Sequence, residues 1–106
     1  MSKSSITTED PRIVIHPGDV LSDTLAEAGL SAHAAALAMA IPANRLTAII
    51  NKRRSVTAET AMRLGRFFGT SAKLWMNLQA RYDLQVTEAE LGERISTEVR
   101  PLKKSA

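Results

Sequence analysis

The sequence predicts an all-α fold of five helices in a single domain. Its 106 residues are the length of one domain. Alanine is abundant and alternating runs of Val, Ile and Thr are almost absent, which favours helices over strands. The chain holds only four aromatic residues, Phe67, Phe68, Trp75 and Tyr82, so we expect a core built mainly from Leu, Ile, Met and Ala.

The N-terminal region predicts a tail, an arm and a first helix. Residues 1–12 are polar and are expected to form a disordered N-terminal tail. Residues 13–15 are a short β-branched run that could pack on the domain as an extended arm. Pro17 suits the first turn of a helix and Gly29 suits a C-terminal cap, so the first helix is predicted over about 18–28.

Two short helices are predicted next. Ser31 is a candidate N-cap for an alanine-rich second helix that ends at about Ala40. Pro42 disfavours the helical conformation at Ile41 and can itself begin a third helix, which should end near Lys52.

The last two helices have their own caps. Thr57 and Gly69 bound the fourth helix, and Ser71 caps a fifth helix that runs to about Ile95. A fresh capping box at residues 87–90 leaves open a break near 84–87. The predicted core face of the fourth helix is Ala61, Met62, Leu64, Phe67 and Phe68. The predicted domain therefore spans 13–95, with a C-terminal dimerisation helix and a flexible basic tail over 96–106.

Positive charge is concentrated in the middle third of the chain. Residues 1–40 carry a net charge of −3, residues 41–73 carry +6, and residues 74–106 are neutral overall. One stretch could therefore form a patch for a polyanion. The alternative is a solvated basic face with no ligand.

The segment over residues 32–51 has the pattern of a helix-turn-helix. Its two helices cross steeply, which requires a small residue such as Ala36 where they touch. Leu46 and Ile49 anchor one side of the second of these two helices, the third predicted helix of the chain. Its opposite side offers small or amide-bearing side chains suited to base edges. The exposed residues are Ala43, Asn44, Thr47, Ala48 and Asn51. A plain helical hairpin in a bundle is the alternative interpretation.

Candidate phosphate contacts flank this surface. Four basic residues lie beside or just beyond the third predicted helix, which is the second helix of the helix-turn-helix: Arg45, Lys52, Arg53 and Arg54. Ser31 and His33, at the start of the second predicted helix of the chain, are weaker candidates, since a lone histidine is more often a plain surface residue. His16, beside Pro17, is expected to cap or pack.

Other classes of function find little support. The chain has no cysteine, and its two histidines stand 17 residues apart without a set of spaced carboxylates, so we expect neither a metal site nor a catalytic triad. No cofactor and no enzyme activity are expected. The N-terminus has no signal-peptide pattern and no apolar run could span a membrane, so a cytoplasmic location is expected by default.

The chain resembles a known family of DNA-binding proteins. The segment IHPGDVL (15–21), the helix-turn-helix, and the pentad Trp75 to Gln79 followed by Tyr-Asp-Leu are similar to the HigA/VapI addiction-module antitoxins of the Xre/Cro class. The resemblance covers roughly residues 13–95. Three places depart from the class pattern: Ala40 stands where the turn usually has glycine, Asn51-Lys52 stands where Asn-Gly is common, and Ala32 and His33 stand where many relatives carry glutamine.

The resemblance implies a fold and a function. The fold is a lambda-repressor-like domain of five helices, which dimerises, binds its own palindromic operator, and neutralises an mRNA-cleaving HigB toxin of the RelE class. The base-reading face falls on Pro42, Ala43, Asn44, Thr47, Ala48 and Asn51, with Arg53 and Arg54 near phosphate. A stand-alone transcriptional repressor without a toxin partner is the open alternative.

A homodimer is also expected from the apolar surface of the fifth helix. Its apolar residues spread over more than one face, so a monomer could cover only part of them. The predicted interface is Leu74, Trp75, Leu78 and Tyr82, with Trp75 or Tyr82 at or near the seam.

Overall fold

The structure is a computed structural model that describes residues 13–103. This part of the chain folds into five helices without a strand. They are α1 (Pro17–Ala28), α2 (Ala32–Met39), α3 (Ala43–Ile50), α4 (Ala58–Phe68) and α5 (Ala72–Glu98). The all-α, lambda-repressor-like fold class is confirmed. The predicted tail at 1–12 lies outside the described residues.

One apolar core joins all five helices. Leu21 and Leu25 enter it from α1, Leu46 and Ile49 from α3, and Trp75 from α5. Its remaining members are Ala35, Ala36, Met39, Ile41, Val56, Ala61 and Leu64. Burying such side chains contributes about 1.5–3 kcal/mol for each large one. Because α1 and α2 both pack on α3, the core fixes the second helix of the helix-turn-helix against the domain.

The predicted helix starts are confirmed by side-chain caps. The hydroxyls of Ser31, Thr57 and Ser71 accept hydrogen bonds from Ala34 N, Thr60 N and Leu74 N respectively. Each satisfies an amide that the first turn of a helix leaves without a backbone partner.

Three helices end on a residue in the left-handed conformation. Gly29 and Gly69 have φ of +69° and +75°, as expected from sequence. Ala40 adopts φ of +56° in the turn of the helix-turn-helix. There Ala40 N donates to Leu37 O and Ile41 N donates to Ala36 O, the bond pattern of a Schellman cap. The departure from glycine therefore keeps the turn, at the cost of a Cβ in a disfavoured region.

Two expectations about α4 and α5 are corrected. Met62, placed in the core face from sequence, is 67% exposed because it lies on the side of α4 opposite Leu64. The possible break near 84–87 is absent: α5 is continuous and reaches Glu98, past the expected end near Ile95. The expected flexible tail thus begins in helix, and its last residues, 104–106, lie outside the described residues.

Candidate nucleic-acid interface

The exposed side of α3 carries most of the predicted base-reading residues. Pro42, Ala43, Asn44 and Thr47 are exposed, Ala48 is half-buried, and Asn51 is exposed just after the helix. Leu46 and Ile49 are fully buried on the opposite side. Small and amide side chains therefore share one face, where a helix in the major groove could bring them to base edges.

Thr47 has a defined hydrogen-bonding capacity on this face. Its hydroxyl donates to Ala43 O at 2.9 Å, within α3. The hydroxyl proton is therefore used inside the helix, which leaves the oxygen as an acceptor and the methyl group as an apolar contact. Such a residue suits an amino group of adenine or cytosine, or the methyl group of thymine.

The residues predicted to contact phosphate differ in their exposure and in whether another group of the protein already binds them. Arg53 and Arg54 are exposed and form no ion pair among the described residues. His33 is exposed in the first turn of α2, where the Ser31 hydroxyl is already engaged as the cap. Arg45 is half-buried, and its Nε has no hydrogen-bond partner in the part of the chain that the structure describes. Asn44, Thr47, Ala48 and Arg53 together line a shallow, open concavity.

Lys52 is the exception among these cations. Its ammonium lies 3.1 Å from Oδ1 of Asp19 on α1. The pairing comes from the packing of α1 against the end of α3, and no short-range pattern in the sequence indicated it.

The start of α1 rests on the end of α3. A Cβ added to Gly18 would lie 2.0 Å from Ile49 O, so only glycine allows this approach. His16 caps α1, as expected: its Nδ1 accepts from Gly18 N at 2.9 Å, and its own amide donates to Asp19 Oδ2 at 3.1 Å. The HPGD segment (16–19) therefore positions α3, the second helix of the helix-turn-helix, which we call the recognition helix.

His16 is buried between the start of α1 and α5. Its ring packs edge-on against Tyr82 of α5, with centroids 4.7 Å apart. Burial lowers the pKa of His16 below its ordinary value of 6.5; Asp19 and Asp83 raise it in part, and Lys52 lowers it. Since a capping Nδ1 must be unprotonated to accept, the low pKa agrees with the observed hydrogen bond.

Among the described residues, no helix is long and apolar enough to cross a bilayer. The same part of the chain contains no group of three or more His, Cys, Asp or Glu side chains arranged to hold a metal ion.

Known proteins are similar to this chain in both sequence and fold. No protein-family model matches the chain. Virulence-associated protein I of Dichelobacter nodosus is 44% identical over 77 residues, which cover 72% of this chain and 71% of that protein. The addiction-module antidote protein of the HigA family from Coxiella burnetii is 46% identical, with a TM-score of 0.81 over 84% of this chain and 98% of its own.

The chain belongs to the HigA/VapI family of helix-turn-helix antitoxins.

Two further similar structures were solved with DNA. The antitoxin HigA of Pseudomonas aeruginosa with the higBA promoter is 41% identical, with a TM-score of 0.82 over 86% of this chain and 100% of that one. The antitoxin GraA in complex with its operator is 30% identical, with a TM-score of 0.81 over 98% of this chain and 100% of that one. Both of these relatives are antitoxins.

The expected dimer interface of this HigA/VapI-family chain needs one correction. Trp75 is only 1% exposed, because its ring lies in the core and its Nε1 donates to Thr70 Oγ1 at 2.9 Å. It therefore has no surface for a second copy. Leu78 and Tyr82 are half-buried within the chain, and Leu74 is 42% exposed. Trp75 therefore belongs to the core of the chain's own fold.

Sequence reasoning missed two side chains that support the helix-turn-helix and the loop after it. Gln79 is buried, and its Oε1 accepts from Val56 N at 2.7 Å in the loop after α3. Arg63 of α4 donates to Met39 O at 3.2 Å, at the end of α2. A polar residue one helical turn after Trp75, on the same face, was the available signal for Gln79. The Glu59–Arg63 spacing indicated only a surface ion pair.

Proposed function

We propose that this chain is a HigA-type antitoxin that binds operator DNA as a dimer, represses its own operon, and neutralises a HigB toxin of the RelE class. The observation that carries the proposal is the exposed polar face of α3, bordered by Arg53 and Arg54, which form no ion pair within residues 13–103. Family members solved with promoter and operator DNA support this assignment.

DNA would contact two sets of residues. Asn44, Thr47 and Asn51 face bases in the major groove, with the small side chains of Pro42, Ala43 and Ala48 allowing close approach. Arg53 and Arg54 bind phosphates after α3, while His33 and Arg45 lie at the flank of the same surface. Ser31 retains its role as the α2 cap and could accept only a secondary contact.

A dimer would place two such helices on a palindrome. Two half-sites about 34–36 Å apart give the sequence specificity that one short helix lacks. Exposed apolar residues from the middle of α5 onward, Leu84, Leu91 and Ile95, are spaced along one side of the helix and support an interface there.

The DNA-binding arm of the proposal is tested with two duplexes. One covers the region upstream of the gene that encodes this chain, and the other is a scrambled duplex of the same length and composition. We expect specific binding to be at least about 10³-fold tighter than non-specific binding at physiological salt. Equal binding to both duplexes would contradict an operator function.

The antitoxin arm is tested separately. If the neighbouring reading frame encodes a RelE-class protein, expressing that protein alone should arrest growth, and co-expression with this chain should restore it. The stand-alone repressor is the second candidate, favoured by the 38% identity to the HTH-type transcriptional regulator YbaQ of Escherichia coli. Operator binding with no such neighbouring frame, or with no rescue, would select the repressor.

A further inference from the structure

Lys52 occupies a position that favours glycine. Its φ is +64°, in the left-handed region, two residues after α3 ends at Ile50. Lys52 N donates to Ile49 O at 3.0 Å and Arg53 N donates to Ala48 O at 2.8 Å, so Lys52 closes a Schellman cap. A lysine here strains the backbone without improving the cap. Strain of this kind points to a use for the side chain.

The Lys52 side chain contacts the first turn of α1. The Asp19 carboxylate binds Lys52 Nζ through Oδ1 at 3.1 Å and accepts from His16 N through Oδ2 at 3.1 Å. One carboxylate therefore joins the cap of α1 to the cap of α3. The neighbouring close approach of Gly18 to Ile49 O brings the two caps together.

This pairing changes the charge that Lys52 offers to DNA. A cation releases counterions from DNA only when its charge neutralises a phosphate. The Asp19 carboxylate already provides a counter-charge to the Lys52 ammonium, in a pair whose two side chains are 55% and 40% exposed, whereas Arg53 and Arg54 next along the chain have no such partner among the described residues.

We propose that Asp19 and Lys52 are positioning residues: their ion pair fixes the end of the recognition helix against α1, and Lys52 does not bind phosphate. This proposal rests on the proposed DNA-binding function and replaces the expectation that Lys52 joins Arg53 and Arg54 on the backbone.

The test compares two variants with matched controls. Lys52→Asn removes the charge and tolerates the left-handed conformation, and Arg53→Asn is its control one residue along. Asp19→Asn breaks the pair, and Asp23→Asn removes an exposed carboxylate from the same helix without touching Lys52. Binding of the full-length chain to the upstream and scrambled duplexes is measured by fluorescence anisotropy over a series of salt concentrations.

We expect Lys52→Asn to weaken binding to the upstream duplex by about two- to fivefold, as loss of an exposed ion pair allows, with an unchanged salt slope. Arg53→Asn should lower the slope by about 0.9. Asp19→Asn should weaken upstream binding relative to Asp23→Asn, and the double variant Asp19→Asn/Lys52→Asn should be no weaker than Lys52→Asn alone, since both changes break one contact.

Three results would overturn the proposal. A slope lowered by about 0.9 in Lys52→Asn would make Lys52 a phosphate contact. Tighter binding by Asp19→Asn than by Asp23→Asn would mean that Asp19 withholds Lys52 from DNA. No change in affinity in either variant would remove the positioning role. Lys52→Gly, which relieves the strain, repeats the test if Lys52→Asn melts early. A wild-type chain that cannot distinguish the two duplexes would instead overturn the proposed function itself.

Discussion

Gln79 of α5 holds the loop that follows the recognition helix. Its Oε1 lies 2.7 Å from the backbone nitrogen of Val56, and its Nε2 donates to Asp83 Oδ1 at 2.9 Å. Gln79 and Val56 are both buried, so the hydrogen bond is shielded from water. The loop that this bond fixes carries Arg53 and Arg54, which connects the longest helix of the molecule to the proposed phosphate contacts.

Replacing Gln79 with leucine should lower the free energy of unfolding by about 1–3 kcal/mol, because the buried amide of Val56 would lose its acceptor. Urea denaturation followed by circular dichroism measures this loss. Asn77→Leu, at an exposed position of the same helix, is the control and should change stability little. A Gln79→Leu variant as stable as the control would show that water replaces the amide.

The helices and their caps could be predicted because their signals are local. Ser31, Thr57 and Ser71 each lie directly before an apolar period, and Gly29 and Gly69 each lie directly after one. The anchors Leu46 and Ile49 follow from spacing alone, and they determine which side of α3 is exposed.

The remaining features depend on contacts between distant segments. The pairing of Asp19 with Lys52 and of Gln79 with Val56 requires knowledge of how α1 and α5 pack on the end of α3. The exposure of Met62 and the burial of Trp75 likewise depend on which helix covers which face. Apolar identity alone cannot distinguish a core position from an interface position.

Arg53→Ala should weaken binding to operator and random DNA alike, because a phosphate contact carries no sequence information. The salt slope should fall by about 0.9 for the lost contact. Anisotropy titrations at several salt concentrations measure both quantities. Arg100→Ala removes the same charge from beyond the far end of α5 and should leave the slope unchanged. Loss of operator preference at a constant slope would assign Arg53 to the bases.

Thr47→Ala should cost about 1–3 kcal/mol of binding to the operator and little on random DNA, since Thr47 lies on the proposed reading face. Alanine is the better helix former, so the fold should not suffer. Thr24→Ala is a matched control, because the Thr24 hydroxyl also donates within its helix, to Val20 O at 2.7 Å. Equal losses on both DNAs would place Thr47 against the backbone.

The stability of the chain should fall as the pH drops below about 6.5, because burial lowers the pKa of His16 in the folded state. Between the unfolded and folded pKa values only the unfolded state binds a proton, so acid favours unfolding until the folded His16 also titrates. Thermal melts between pH 5 and pH 8 measure the effect. His16→Asn should flatten the dependence in this range, whereas His33→Asn, at an exposed site, should not. Identical curves for His16→Asn and wild type would contradict the assignment.

The burial of Trp75 decides how the proposed dimer can be tested. Ending the chain at Gly69 would remove Trp75 from the core and unfold the domain, so point substitutions are the sharper test. Leu84 is 71% exposed at the middle of α5, where Val14 of the N-terminal arm borders the same apolar groove.

Leu84→Glu should convert the dimer to a monomer, because a carboxylate would have to lose its hydration at the seam. Leu37→Glu on α2, where the leucine is also 71% exposed, makes the same chemical change away from α5 and should leave the dimer intact. Sedimentation velocity over a concentration series reads the mass of each variant. The monomer should also bind a single half-site and a full palindrome with similar affinity, since two-fold symmetry is what links the two recognition helices. A Leu84→Glu variant that remained dimeric would move the interface away from the Leu84 side of α5.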